Sequence, residues 1–312
     1  MGDIAITVLD SVTPELSAEI FELVLECTAF DSGYPFSEQV LIHLRHGSDN
    51  KVRHVIARDG DRLAGYAHLD STDDIDGPSA ELAVHPDLRR QGVGSLLLST
   101  LLVASRPRAL RLWAHGEAAA ASSLAHSFGF DKVRTLWQMR RSLFATVADV
   151  PAPAGITLRN FHPERDINGW LDCNTRAFAD HPEQGRWTRR DLESRMKEPW
   201  FDAKGFIVAE DTDGRIVGFH WTKIHGVDER DAHLHEPIGE VYVVGVDPEW
   251  QGKQLGRVLT VVGLRYLRHV GLRSAMLYVD AADTRARALY ESMGFAHWDT
   301  DTLFRDPLVP LD

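Results

Sequence analysis

The stretch Gly239-Glu240-Val241-Tyr242-Val243-Val244-Gly245-Val246-Asp247-Pro248-Glu249-Trp250-Gln251-Gly252-Lys253-Gln254-Leu255-Gly256 decides how the chain is read. Its first residues are mostly β-branched or aromatic and read as a strand. Asp247-Pro248 reads as a turn, and an apolar helix begins at Leu255. Strand, loop and helix N-terminus together make an anion site, because successive backbone N–H groups converge and the helix dipole adds partial positive charge. A phosphorylated ligand is expected on Gln251 to Gly256, with its remainder along the strand. A second copy stands earlier, Leu82-Ala83-Val84-His85-Pro86-Asp87-Leu88-Arg89-Arg90-Gln91-Gly92-Val93-Gly94, with Pro86 and Pro248 separated by about half the chain.

The 312 residues leave room for two domains, each able to bury its own core. A hydrophobic content of 44% and a charged content of 26% are those of a water-soluble globular protein. No apolar run reaches the ~18 residues of a membrane span, and the N-terminus lacks the basic start and apolar core of a secretion signal. The expected location is the cytoplasm. Cys27 and Cys173 fall in helices of different halves and read as small buried residues, not a disulfide. The net charge of −12 argues against nucleic acid or an anionic membrane as partner. A polyanionic cofactor must then be caught by local N–H groups and a few cations. A monomer acting on a small molecule is expected.

The elements follow in a repeated order. Strand Ile4–Val8, a helix from Thr13 and a helix over Ser37–His46 lead to strands Val52–Ala57 and Arg62–Leu69, joined by Asp59-Gly60. Strand Glu81–Val84, the first glycine-bearing loop and helix Val93–Ala104 come next. Strand Ala109–Trp113, helix Ala118–Ser127 ending at Phe128-Gly129-Phe130, and one or two strands over Lys132–Arg140 close the half. A Pro- and Ala-rich linker over residues 144–155 separates domains 1–143 and 156–312. The second half repeats the order through strand Ile156–Arg159, helices Asp166–Ala179 and Arg189–Met196, and strands Phe206–Ala209 and Ile216–Thr222. After the opening stretch come helix Leu255–His269, strand Ala275–Val279 and helix Thr284–Met293, ending at Met293-Gly294-Phe295. Matching order, loop and Gly-Phe terminus indicate an internal duplication. A dinucleotide-binding loop would instead want Gly-x-Gly-x-x-Gly at the first strand and an acidic residue about 20 further on, and neither is present.

This order resembles the GNAT acetyltransferase fold, and Arg89-Arg90-Gln91-Gly92-Val93-Gly94 fits that family's (Arg/Gln)-x-x-Gly-x-(Gly/Ala) pyrophosphate loop. The resemblance implies an α/β (α+β type) fold of two tandem GNAT domains, each a mixed, mostly antiparallel central sheet flanked by helices. Within the family the chain is similar to the mycothiol synthases. These carry stretches very like Trp113-Ala114-His115-Gly116, His181-Pro182-Glu183-Gln184-Gly185, Gly218-Phe219-His220-Trp221-Thr222-Lys223, Gly239-Glu240-Val241-Tyr242-Val243 and Leu277-Tyr278-Val279. That likeness implies acetyl transfer from acetyl-CoA to the cysteinyl amine of a cysteine–glucosamine–inositol conjugate, without a metal. Two alternatives stand beside it: an N-acetyltransferase for another small amine (an aminoglycoside, amino acid or polyamine), which charge alone does not separate, and a non-catalytic acetyl-CoA sensor, which Gln254 favours and Glu240 with Tyr290 oppose.

Amide formation from a thioester needs a neutral amine, a donor for the carbonyl oxyanion and a proton for the departing thiolate. An α-amino group with pKa ~8 needs only a modest base, and a phenol can protonate a thiolate whose acid has pKa ~8.5. The resemblance gives Glu240 the base role, through water, and Tyr290 the acid role. Counting back from Pro86 sets Pro78 opposite Glu240, and counting back from Gly129 sets Ala125 opposite Tyr290. The first half is therefore expected to bind coenzyme without turnover. Substrate contacts are implied at Glu38, Glu183, Lys223, Glu240 and Tyr278. Coenzyme contacts are implied at Leu82, Ala83, Val84, Arg89, Arg90, Gln91, Gly92, Val93, Gly94 and Ser95 of the first half. In the second they fall on Val244, Gly245, Val246, Gln251, Gly252, Lys253, Gln254, Leu255, Gly256, Arg257, Asp283, Thr284, Arg285, Ala286, Arg287 and Ala288. Gly245 is expected to ease a strand bulge. Gln254 stands where the pattern expects Gly, so a shifted loop is anticipated, and Asp283 stands where the family often has Asn. His225, His233 and His235 cluster in a polar segment without Cys and read as a solvated loop, not a metal site. His181 and His220 read as hydrogen-bonding residues near the substrate or as packing residues.

Overall fold

The computed structural model describes residues 4–31, 33–48, 51–116, 119–179, 184–226 and 236–307. Two compact units emerge. One holds the residues up to Leu136 together with those from Asp299 onward, and the other runs from Trp137 to Trp298.

In the first unit, β1 (Ile4–Leu9), β2 (Val52–Asp59), β3 (Arg62–Asp70) and β4 (Ser79–Val84) pair antiparallel in that order, and β5 (Arg111–Ala114) joins β4 in parallel. The β2–β3 register pairs Asp59 with Arg62, leaving a two-residue loop in which Gly60 takes φ 59°. That is the hairpin its Asp-Gly pair predicts. α1 (Pro14–Asp31) buries Ile20, Leu23, Val24 and Cys27, the i, i+3, i+4, i+7 stripe of a helix lying on a sheet. With α2 (Glu38–His46) it covers one face. α3 (Val93–Ser105) covers the other through Val93, Leu97, Leu98 and Leu101, and α4 (Ala119–Ser127) follows β5.

In the second unit the sheet order is β6 (Asp131–Ser142), β11 (Ser274–Asp280), β10 (Ile238–Val246), β9 (Ile216–His225), β8 (Phe206–Glu210) and β7 (Thr157–Asn160). β10 and β11 are parallel, and β7 to β10 are antiparallel. α5 (Pro163–Ala177) and α6 (Arg189–Arg195) lie on one face over an aromatic core of Trp170, Phe206, Phe219 and Trp221. α7 (Leu255–His269) and α8 (Thr284–Ser292) lie on the other, over Val241, Val261, Leu264, Leu277, Met293 and Phe295.

The division expected at the linker over 144–155 differs from this partition. That stretch holds no strand or helix, but the cores divide at the strands on either side. From Trp137 onward, β6 supplies Met139 to the second unit's core. The sequence reading assigned no strand after Met293-Gly294-Phe295, yet β12 (Ala296–Arg305) forms there. Its residues 302–305 pair antiparallel with β5, and Phe304 is buried in the first unit's core. Both cysteines are free and buried, as expected; burial pushes the Cys27 thiol up to about 11 and the Cys173 thiol up to about 12.

His220 is a packing residue. Fully buried on β9, its Nδ1–H donates to the Leu259 carbonyl at 2.8 Å, and its ring lies across Gly263. A Cβ at Gly263 would come 2.0 Å from the ring Cε1. Gly263→Ala should therefore lower stability by about 2–4 kcal/mol in urea unfolding, from overpacking plus a strained buried hydrogen bond. Burial lowers His220 to about 4, and burial with the charge of His43 lowers His54 to about 4. Unfolded imidazole titrates near 6.5, so between pH ~6.5 and ~4 the unfolded chain binds more protons than the native one. Stability should fall as pH drops through that window, by up to ~1.4 kcal/mol per pH unit for each histidine, readable as a declining urea midpoint.

Candidate active site

The two glycine-bearing loops share one backbone path. A 3₁₀ turn follows each strand, Pro86–Leu88 and Pro248–Trp250, capped by the side chains of His85 and Asp247. Left-handed residues then fall at matching places: Arg90 (φ 64°) and Gly92 (φ 86°) in the first loop, Gly252 (φ 76°) and Gln254 (φ 65°) in the second. Gln254 therefore adopts the conformation that Gly92 adopts. The anticipated loop shift does not occur; the chain tolerates a Cβ at a left-handed position instead. The first residue of each loop ties back to its strand. Arg89 Nε donates to the Val84 carbonyl at 3.1 Å, and Gln251 Nε2 donates to the Val246 carbonyl at 3.3 Å. Arg and Gln both place an N–H at that reach, which accounts for their interchange.

Neither α3 nor α7 has a side chain capping its N-terminus, so the first-turn N–H groups face the loop and suit an anion. The basic side chains nearby have protein partners. Arg89 makes a two-point contact with Asp31 at 2.7 Å, Arg257 donates to Ser292 Oγ at 3.0 Å, and Lys253 lies 4.5 Å from the Trp250 ring centre. Asp283 caps α8 by accepting from the Ala286 N–H at 2.8 Å, a task Asn performs equally well. Arg287 lies over Trp137 at 3.8 Å, while Thr284, Arg285 and Ala288 are exposed.

Beside each loop the parallel strands part. β10 and β11 pair only at Gly239↔Ala275 and Glu240↔Met276, and β4 and β5 only at Ser79↔Arg111 and Ala80↔Leu112. Beyond those pairs the β10 edge from Val241 to Val246, like Leu82 to Val84 on β4, faces a gap and not a ladder. The β10 ladder to β9 skips Tyr242, a bulge between Val241 and Val243. It does not sit at Gly245. Gly245 is required for another reason: a Cβ there would lie 2.5 Å from the Phe219 ring, the cross-strand partner lying over it.

Strand pleating gathers the polar residues on one face. Glu240 lies directly opposite Lys223 on β9 and Met276 on β11, and Tyr278, two residues on, points the same way. Glu240 is 6% exposed and accepts from His225 Nε2 at 2.7 Å. Lys223, also buried, sits 5.1 Å from the Trp200 ring centre and 5.4 Å from that of Tyr242. The Tyr242 hydroxyl accepts from Arg195 at 2.7 Å, and the half-exposed Tyr278 accepts from Gln138 at 2.8 Å. The sequence reading placed His225 in a solvated loop with His233 and His235; it is instead the last residue of β9, held against Glu240, and its alternation with Lys223 was the available signal.

Tyr290 lies on α8, half-buried against the core that includes Val241 and Val244. Burial, and then the negative charge of Asp283, push its phenol up to about 12. Its carbonyl accepts from the Phe295 N–H at 3.1 Å, as the Ala125 carbonyl accepts from Phe130 at 3.1 Å, so Ala125 does occupy the corresponding place. The counterpart of Glu240 needs correction. The β3–β4 ladder has no bulge, and Val84 and Val246 both pair with a glycine, Gly65 and Gly218. Removing the bulged Tyr242 from the count sets Ser79, not Pro78, at the Glu240 position, opposite Asp70.

The first unit instead buries an ion cluster that the sequence reading did not contain. Glu81 accepts from the Ser37 N–H and hydroxyl and lies 3.1 Å from His115, which lies 2.9 Å from Asp301. Burial alone would lower the imidazole, but the two facing carboxylates outweigh it and hold His115 up at about 10. Glu38 stands at the first residue of α2 in this unit. Glu183, His181, His233 and His235 lie outside the described residues. Among the described residues no group of three or more His, Cys, Asp or Glu could hold a metal ion, and no helix is long and apolar enough to cross a membrane.

Comparison with known proteins follows the same lines. Residues 169–295 match the acetyltransferase (GNAT) family model and residues 50–132 an acetyltransferase (GNAT) domain model. The chain is 51% identical over 302 residues to the mycothiol acetyltransferase of Acidothermus cellulolyticus, covering 94% of this chain and 92% of that one. It belongs to the mycothiol acetyltransferase family. The mycothiol acetyltransferase of Streptosporangium roseum is 47% identical, covering 92% of this chain and 95% of its own. A tandem GNAT protein from the clavulanic acid biosynthesis pathway superposes over 99% of this chain and 100% of its own with a TM-score of 0.75 at 18% identity, a likeness of fold. The chain is thus a tandem GNAT acyltransferase. A loop that holds Gln254 left-handed carries strain, so Gln254→Gly should stabilise the protein by up to about 1 kcal/mol in thermal or urea unfolding.

Proposed function

We propose that this chain transfers the acetyl group of acetyl-CoA to the cysteinyl amine of a cysteine–glucosamine–inositol conjugate, completing mycothiol, and that turnover takes place in the second unit. The observation that carries the proposal is the buried Glu240, set opposite Lys223 and bonded to His225 beside the parting of β10 and β11. The pyrophosphate would rest on the loop from Gln251 to Gly256 and the first turn of α7. The pantetheine arm would lie along the open β10 edge, where N–H groups of Val244 to Val246 are placed to bond it and the thioester oxygen. The hydroxyls of the sugar and inositol would meet Lys223, Tyr278 and Glu183.

At pH 7 only about a tenth of an amine with pKa ~8 is neutral. Glu240, through a water, removes the proton that keeps the amine from attacking. The attack forms the C–N bond, places negative charge on the carbonyl oxygen, and then breaks the C–S bond. Tyr290 gives its proton to the sulfur as that bond breaks, and the second N–H proton of the adduct, released as the amide forms, restores the phenol. Held up at about 12, the phenol stays protonated across the working pH range. By pKa alone the transfer is uphill to a thiolate near 8.5, but the burial that raises the phenol also raises the thiol. The first unit, with Ser79 and Ala125 at the two catalytic places, would hold coenzyme without turnover. Lys223 also discriminates among acceptors, because a cation opposite Glu240 repels a polyamine more than a neutral sugar.

Mass spectrometry of protein with acetyl-CoA and the conjugate, beside spermidine and an aminoglycoside, tests the reading. Acetylation is expected on the conjugate alone. Glu240→Gln and Tyr290→Phe should each lower kcat by about 10²–10⁴, with Ala125→Tyr restoring nothing. Acetylated spermidine without acetylated conjugate would reject the substrate, and full activity in Tyr290→Phe would reject the acid.

A further inference from the structure

The proton balance of the proposed reaction poses a problem that the geometry answers. A cysteinyl ammonium carries three N–H protons. The amide product keeps one, the coenzyme thiol takes one, and the third must reach bulk water at every turnover. Glu240, if it is the base, ends the acylation holding that third proton, and it is 6% exposed. Unless the carboxylate is cleared, the next amine finds no base.

The carboxylate has one hydrogen-bond partner among the described residues, His225 Nε2 at 2.7 Å from Oε2. The side chain of His225 is 23% exposed against 8% for that of Glu240, so the contact leads outward. Both residues belong to the β9–β10 ladder, where His225 pairs with Ile238 and Lys223 with Glu240, so paired strands fix the contact. Lys223, the cation facing Glu240, has no lone pair while charged and cannot take the proton onward. Imidazole can, since it accepts at one nitrogen and releases from the other.

We propose that His225 is the proton relay that returns Glu240 to its carboxylate form, an inference that rests on Glu240 being the base. The proton on Oε2 crosses to Nε2 of neutral imidazole, and the imidazolium loses its Nδ1 proton to water or to a buffer base. The remaining Nε2–H donates to the restored carboxylate, and exchange of the ring protons with water resets the tautomer. No electron changes hands, and the net release is one proton to solvent.

The test is His225→Gln, whose amide can still hydrogen-bond to Glu240 but cannot carry a proton. In dilute, weakly basic buffer kcat should fall by at least about tenfold, short of the ~10²–10⁴ expected on losing the base itself. The KM for acetyl-CoA should stay unchanged, and kcat should recover in proportion to added imidazole. A purely structural role would not respond to imidazole. Wild-type kcat in His225→Gln, or a loss that imidazole does not touch, overturns the relay. Glu240→Gln measured alongside separates the two readings: if it keeps activity, the base assignment has failed and not merely the relay. Should the Gln variant not fold, a proton inventory on the unaltered chain decides. A bowed dependence of kcat on deuterium content supports transfer through two sites, and a linear one rejects it.

Discussion

The parting of β10 from β11 is the constraint from which the rest of the second unit follows. Two parallel strands that pair over two residues and then separate expose backbone donors and acceptors that must find partners. In the proposed reading the pantetheine arm, which carries amides of its own, would satisfy that requirement without a side chain. The bulge at Tyr242 belongs to the same geometry, since an extra residue in one strand bends it and turns the following side chains. It also lets Glu240 and Val243 share the face on which Trp221 and Lys223 lie. The open edge thus comes from the parting of the strands, and the polar face from the bulge beside it.

The first unit shows how much of this is shape and how much is chemistry. Its loop follows the same path and its parallel strands part at the same stage, yet β4 runs straight. Without the bulge, the position equivalent to Glu240 carries a serine. Glu81 on that strand engages His115 and Asp301, joining β4 to the end of β5 and to the last strand. A buried cation between two carboxylates is costly to break, because removing any member leaves an uncompensated charge. Similar loop paths thus stand beside the Glu240–His225 pair in one unit and beside an ion cluster in the other.

Much of this was legible in the sequence because it is local. The hairpin at Asp59-Gly60, the helix stripes, the paired loops and the Gly-Phe helix ends depend on neighbours within a turn or two. Counting from Gly294 identified Ala125 correctly because no insertion intervenes within α8. Counting from Pro248 missed the equivalent of Glu240 by one residue, because a bulge adds a residue that no composition signal marks. Asp301 could not be tied to His115 from sequence, as they lie 186 residues apart. β12 escaped notice for a related reason: its partner strand belongs to the other half of the chain, so no local repeat pointed to it.

A chain of net charge −12 that is proposed to hold a polyanion must do so through local groups. Arg89, Arg257 and Lys253 surround the loops but are each engaged, by Asp31, Ser292 and the Trp250 ring. What the loops themselves offer is oriented N–H groups at two uncapped helix starts, fixed dipoles that need no mobile side chain to be ordered on binding. The same economy holds at the polar face. Glu240 and Lys223 are fixed by directly opposed strand positions, and their opposite charges limit each other's field. In the proposed reaction an acceptor would have to fit both charges at once, its cation toward the carboxylate and its hydroxyls toward the lysine. An acidic pocket alone would favour any polycation; a lysine opposite the carboxylate disfavours one.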